Sequence, residues 1–282
     1  MLETIFGIAI ISVACVIIIA YITQTKKRQW QQQQTLISQL LQLKTIIAFT
    51  QKHRGMCAAY IQGDEKALNV LTSIDNTLQP VIEKLNNEPF LMQQGRWIGY
   101  LDHWQRLKKQ YKQLDLTTSF NQHTNLITNL LYLFEDISEH RAFNKKSFKG
   151  TSNSSVLWQE LPFTAEYVGQ ARAVGVAIVA RGTCTQVDKV KIGYLATKIP
   201  ELSNRIFSYL ERNGSEQLPL INHARNKCQS FTNLLQTELL EVNQVNISTE
   251  QYFSAASQAM DSINRLLDAE LSTLHEHIKR AY

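Results

Sequence analysis

Glycine and proline are scarce in this chain: 11 and 5 among 282 residues, where average usage is about 7% and about 5%. Few of the punctuation marks that all-β or alternating α/β folds need are therefore present. Cysteines are also few. Cys15, Cys57, Cys184 and Cys228 are far apart, without a C-x-x-C pair or a His at metal-ligand spacing, so disulfide scaffold, zinc module and redox motif all lack support. A strong charge of one sign is missing as well. The net charge is +5, and Lys26, Lys27 and Arg28 against Glu3 account for part of it; no nucleic acid is expected as a partner. No Gly-rich phosphate loop, Gly-x-Ser-x-Gly elbow, His-Glu-x-x-His or calcium loop occurs, so no catalytic residue, cofactor or metal ligand is assigned and an enzyme is not expected.

What is present is helical pattern, beginning with a charge-free stretch over residues 4–25 that is dominated by Ile, Val, Ala and Phe. As a helix it is about 33 Å long, enough for a hydrocarbon core of about 30 Å. Glu3 before it and Lys26, Lys27 and Arg28 after it are the wrong flanks for a cleaved signal peptide and the right ones for an uncleaved anchor. The basic flank places everything from residue 26 onward in the cytoplasm. In a bacterial cell this is a single-pass inner-membrane protein, with residues 1–28 as the anchor.

Beyond the Gln31–Gln34 run, Leu36, Leu40, Leu43, Ile47, Thr50, Cys57 and Ile61 continue a seam in steps of four and three, which predicts one long helix and suits a homodimer contact. Further amphipathic stretches over about 66–86, 91–114 and 121–145 complete a four-helix bundle within 29–148. The polar segment 149–155 is the best internal boundary. Four more helices, about 157–181, 185–212, 217–246 and 249–280, make a second bundle within 156–282; Ser248 and Gln251 are spaced as a capping box, and Pro200 is expected to kink or divide the sixth helix. The predicted class is all-α, two stacked four-helix bundles preceded by one transmembrane helix. A weak internal repeat relates the halves: Arg54, small residues, Ala59 and Gly63 against Arg172, small residues, Ala177 and Gly182.

Both arginines occupy seam positions where apolar residues belong. Arg54 continues the first seam, and Arg172 falls between Val168 and Gly175 in the series Leu161, Ala165, Val168, Gly175, Val179. A buried guanidinium needs an anion. Glu135, Asp136, Glu166 or Asp261 on a neighbouring helix could supply it; so could a small planar oxyanion, for which Gly55, Cys57, Ala58, Ala173 and Gly175 would leave room. His53, if protonated, adds a donor. The tryptophans are not clustered along the chain, and the basic, aromatic stretch from Arg96 to Lys112 is read as a solvated helix face.

The segments Gln51-Lys-His-Arg-Gly-Met-Cys-Ala-Ala-Tyr, Glu166-Tyr-Val-Gly-Gln-Ala-Arg-Ala-Val-Gly-Val-Ala and Glu250-Gln-Tyr-Phe-Ser-Ala-Ala-Ser-Gln-Ala-Met-Asp-Ser-Ile, in this order, resemble the nitrate- and nitrite-sensing (NIT) domain of bacteria over about residues 35–280. The resemblance implies two four-helix bundles that hold nitrate or nitrite by arginines between helices and signal by helix displacement. Arg54 and Arg172 match the arginines of its first and second motifs; position 53 departs, with His where Glu or Arg is usual. Arg225 is a further candidate for the pocket. Such domains usually carry an output module, and none follows the last helix here, so the expected output runs through a partner protein. The alternative is a membrane-anchored helical adaptor with no small-molecule ligand.

Overall fold

A computed structural model describes residues 2–140 and 154–281, the side chains of 2–5, 8–12, 140, 154–156, 278 and 281 excepted. Among the described residues there are eight α-helices and no strand: α1 (Leu2–Ile61), α2 (Ala67–Asn86), α3 (Gly95–Gln110), α4 (Leu116–His140), α5 (Ser154–Arg181), α6 (Gln186–Arg212), α7 (Leu218–Leu235) and α8 (Thr249–Ala281). The expected boundary at 149–155 lies mostly outside the described residues. Helix α1 packs on α2 and α4, and α3 on α4; α5 packs on α6 and α8, and α7 on both of those. The two sets meet where α4 touches α5 and where α1 touches α8 and α5.

Local chemistry explains the helix ends. Gly63 and Gly182, the closing glycines of the internal repeat, take φ of 98° and 74°, the left-handed conformation that ends a helix without a Cβ penalty. Ser248 and Gln251 exchange the two bonds of a capping box, Gln251 N–H to Ser248 Oγ (3.1 Å) and Ser248 N–H to Gln251 Oε1 (3.2 Å). Thr185 and Asp188 do the same at the start of α6. The Gln31–Gln34 run lies within α1 and does not interrupt it.

Several expectations need correction. Helix α6 is not divided at Pro200: Ile199, Ser203, Ile206 and Phe207 are buried around it, and this packing outweighs the roughly 3 kcal/mol an interior proline costs. Helix α7 does not reach 246. It closes in a π turn over Gln236–Leu240, and the chain then folds back so that Val245 N–H donates to the Gly182 carbonyl (3.2 Å). Trp97 and Trp104 are stacked with Tyr100 between them, centroids 5.6 and 6.2 Å apart, and all three are buried, so the aromatic side of α3 belongs to the core. The seam from Leu36 to Ile47 is buried within the chain itself, which removes the reason to pair it with a second copy.

Among the described residues no helix is long and apolar enough to cross a membrane. The anchor expected over 4–25 falls partly on side chains outside those described. Of those that are described, Phe6, Val13, Val16, Ile17, Ile18, Ile19, Tyr21 and Ile22 are all exposed.

Candidate functional site

The seam that carries Arg54 is buried as the spacing predicts, and so is the charge. Arg54 and Glu166 retain only 3% and 1% of their side-chain exposure. Removing two ions from water costs several kcal/mol each unless the remaining donors and acceptors are filled, and here they are. Arg54 Nη1 donates to Glu166 Oε1 (2.6 Å) and Nη2 to Oε2 (3.2 Å), a two-pronged pair that matches the guanidinium fork to the carboxylate. Gln51 Nε2 adds a bond to Oε2 (2.8 Å) and Gln170 Nε2 one to Oε1 (3.0 Å). Helix α4 supplies Thr124, whose Oγ1 accepts from Arg54 Nη1 (3.1 Å), and the Phe120 ring, 5.5 Å from the guanidinium carbon.

Of the four carboxylates weighed for this role, Glu166 takes it. Its α-helical neighbour at i+4, Gln170, serves the carboxylate and not Arg172. Thr124 and Phe120 went unnoticed in the sequence, although their own i, i+4 spacing places them on one face of α4. Gly169 is also part of the arrangement: a Cβ there would lie 3.1 Å from Arg54 Nη2.

Arg172 is half-buried and differently placed. Nη1 donates to Ser257 Oγ (3.1 Å) and the guanidinium lies over the Phe253 ring at 5.2 Å; among the described residues it forms no ion pair. Burial, and after it the positive charge of Arg54, hold its pKa below the ordinary value, with Asp261 and Glu166 opposing. Arg172 is thus a half-buried guanidinium without an ion pair among the described residues, within electrostatic reach of Arg54, Asp261 and Glu166. A cavity of about 160 Å³ opens between α1, α4, α5 and α8, walled mainly by the apolar Ile47, Ala48, Phe134, Pro162, Ala165 and Leu267, with Lys44, Gln51 and Asn264 as its polar groups. Gln51 belongs to both the cavity wall and the Glu166 cluster. The room expected beside Gly175 is not free: the Tyr252 ring fills it, its hydroxyl donating to the Ala171 carbonyl at 2.8 Å.

The other two candidates are elsewhere. Arg225 pairs with Glu211 (2.9 Å) over the Phe207 ring and shares no partner with Arg54 or Arg172. His53 faces away from Glu166, with Nδ1 2.8 Å from His123 Nε2 and 3.4 Å from Cys57 Sγ. Burial, then His123 and Lys108, push its pKa down to about 2, so it is neutral and offers no cation to an anion. Contrary to the expectation of no His at ligand spacing from a Cys, His53 and Cys57 are one helical turn apart, and their ligand atoms and that of His123 lie within 4.8 Å of one another.

The two helix sets of this all-α fold are therefore joined by a buried Arg54–Glu166 pair, with Arg172 half-buried on the helix that carries Glu166. No curated protein matches the chain. It does match the nitrate and nitrite sensing (NIT) family over residues 45–275, and it belongs to that family. Among solved structures, that of the NasR transcription antiterminator is similar in fold, with a TM-score of 0.67 at 15% sequence identity over 93% of this chain and 73% of the other.

Proposed function

We propose that this chain binds nitrate or nitrite between α1, α5 and α8, with Arg54 and Arg172 as the guanidinium ligands, and that it passes the signal to a partner protein as a shift of α1 against α5. The observation that carries this reading is Arg172, half-buried and without an ion pair among the described residues, on the helix that also bears Glu166. A monovalent planar oxyanion would give Arg172 a counter-charge, and the two oxygens of nitrite or three of nitrate suit guanidinium forks. Glu166 then acts as the internal competitor: an arriving anion shares or takes Arg54, and the carboxylate and the α5 turn that bears it respond. We read the helices as two four-helix units, 29–148 and 156–282.

The test is thermal melting of the full chain with nitrate, nitrite, chloride and sulfate. Ligand at about 100 times its Kd stabilises by about 2.7 kcal/mol, so nitrate or nitrite is expected to raise the melting temperature where chloride does not. Arg172→Ala, which removes a half-buried side chain whose hydrogen bond goes to one hydroxyl, is expected to abolish the response while leaving the helical content intact. Equal shifts with chloride, or none, would exclude the ligand. The rival reading, an adaptor with no ligand, draws on the saturation of Glu166 and expects no anion response.

The N-terminus is proposed to anchor the protein in the bacterial inner membrane, with the helical units in the cytoplasm. The support is the exposed run Val16 to Ile19 with Phe6, Val13, Tyr21 and Ile22, apolar surface left uncovered by the described residues, with a basic flank after it. Alkaline extraction of membranes is expected to leave the full chain in the pellet and to release a chain lacking residues 2–24; release of both would refute the anchor.

A further inference from the structure

Nothing in the anion reading uses His53, Cys57 and His123. All three are fully buried, where ionisable or nucleophilic groups need a reason to be. His53 and Cys57 stand one turn apart on α1, and α4 brings His123 against them. Its Nδ1 is 2.7 Å from the Ser119 carbonyl. A carbonyl can only accept, so Nδ1 carries the proton and Nε2 turns its lone pair toward His53 and Cys57. Metal-bound imidazoles are held in this way, the far nitrogen donating to a backbone carbonyl that fixes the tautomer.

The arrangement is unsatisfied as it stands. If His53 carries its proton on Nδ1 and donates to His123, its buried Nε2 is a lone pair with no donor, and that atom has no hydrogen-bond partner among the described residues. If the proton is on Nε2, two lone pairs meet across 2.8 Å and the Cys57 thiol can serve one of them. A cation among the three atoms removes the clash of lone pairs in the second case and leaves the His53 Nε2–H as a buried donor facing the aromatic walls. In a tetrahedral site with metal–nitrogen bonds of about 2.0–2.1 Å and metal–sulfur of about 2.3 Å, nitrogens stand about 3.3 Å apart and nitrogen and sulfur about 3.6 Å. The separations of 2.8 and 3.4 Å need to open by about half an ångström or less, while the His123 Nε2–Cys57 Sγ pair, within 4.8 Å, closes toward about 3.6 Å by a rotation of the Cys57 side chain.

We propose that His53 Nδ1, His123 Nε2 and Cys57 Sγ form a site for one thiophilic d10 cation, Cu+ or Zn2+. Two imidazoles and a thiolate are a soft ligand set. Binding exchanges the Cys57 thiol proton, released to solvent, for a metal–sulfur bond, and no electron moves. With Cu+ the site is electrically neutral, which suits walls built from Trp104 and Tyr111, whose rings lie edge-on to His53 at 4.8 and 5.4 Å. With Zn2+ one positive charge remains, and Asp75, with a buried Oδ1 that lacks a partner among the described residues, is the available counter-charge.

The test is titration of the full chain, stripped with a chelator and kept reduced, with Zn2+ and with Cu+ held by a competing chelator. One equivalent is expected to bind, with release of a proton and a rise in melting temperature, and the tighter of the two identifies the ion. Cys57→Ala and His123→Gln should each weaken binding by at least ~100-fold, the upper end of what loss of even an outer partner costs, whereas Cys184→Ala should change nothing. X-ray absorption of the loaded wild-type chain is expected to show one sulfur and two nitrogen neighbours, and this decides the matter should a core variant fail to fold. Absence of stoichiometric uptake, uptake indifferent to Cys57 and His123, or a metal shell without sulfur would overturn the site.

Discussion

Glu166→Ala is expected to destabilise the chain by about 3–5 kcal/mol, the cost of breaking a buried ion pair from one side. At about 2–4 °C per kcal/mol for a domain of this size, the melting temperature should fall by roughly 6–20 °C. The variant leaves Arg54 buried with Thr124 Oγ1 and the Phe120 ring, strands the amides of Gln51 and Gln170, and exposes Arg54 to the unscreened charge of Arg172. Replacing both partners, as in Arg54→Met with Glu166→Leu, should cost less than the two single changes summed, because no charge is then orphaned. The same variant also probes the ligand. Nitrate should restore Glu166→Ala more than it stabilises the wild type, since the anion then enters without displacing a carboxylate. A melting temperature within a degree of the wild type would mean that the pair does not form; a large fall that no anion repairs would make the cluster purely structural.

The second large effect is expected at Gly175. A Cβ there would lie 2.0 Å from Tyr252 Oη, 2.1 Å from Cζ and 2.5 Å from Cε1. The ring cannot swing aside: it is fully buried, packed T-shaped on Phe231 at 5.8 Å, and tied to the Ala171 carbonyl. Gly175→Ala must therefore part α5 from α8. Overpacking costs about 1–3 kcal/mol and an unsatisfied buried hydroxyl about another 1–3, against which the helix propensity of Ala returns about 1. A net loss of about 1–5 kcal/mol is expected in chemical denaturation, partly recovered when Tyr252→Leu is added. Gly55→Ala is the control, because nothing lies within 4 Å of its Cβ position and it should be neutral or slightly stabilising. Equal behaviour of the two glycines would refute the close approach at Gly175.

Much of this was legible in the sequence because it is local. Steps of three and four marked the seams, Ser248 and Gln251 marked a cap, and a guanidinium at position 54 of an apolar series marked a buried charge. The rest depends on which helices meet. Four carboxylates suited Arg54 equally well on paper, and only the packing of α1 on α5 selects Glu166. The room read beside Gly175 from its small side chain is space that Tyr252 uses, a contact no spacing along α5 can announce. His53 and Cys57 carry a local i, i+4 signal, but the third member, His123, comes from another helix and no spacing along α1 announces it. Pro200 does not divide α6 for the opposite reason, a local preference overridden by the burial around it.

Helix α1 runs without a break from Leu2 to Ile61, so Arg54 and the apolar run near the N-terminus are fixed in phase. At about 1.5 Å and about 100° per residue, Arg54 stands roughly 48 Å along the axis from Ile22. One residue inserted among Gln31–Gln34 turns everything before it by about 100°, whereas seven residues return it to within about 20° while lengthening the rod by about 10 Å. A signal carried as rotation survives the heptad insertion and is scrambled by the single one. A signal carried as axial displacement is indifferent to both.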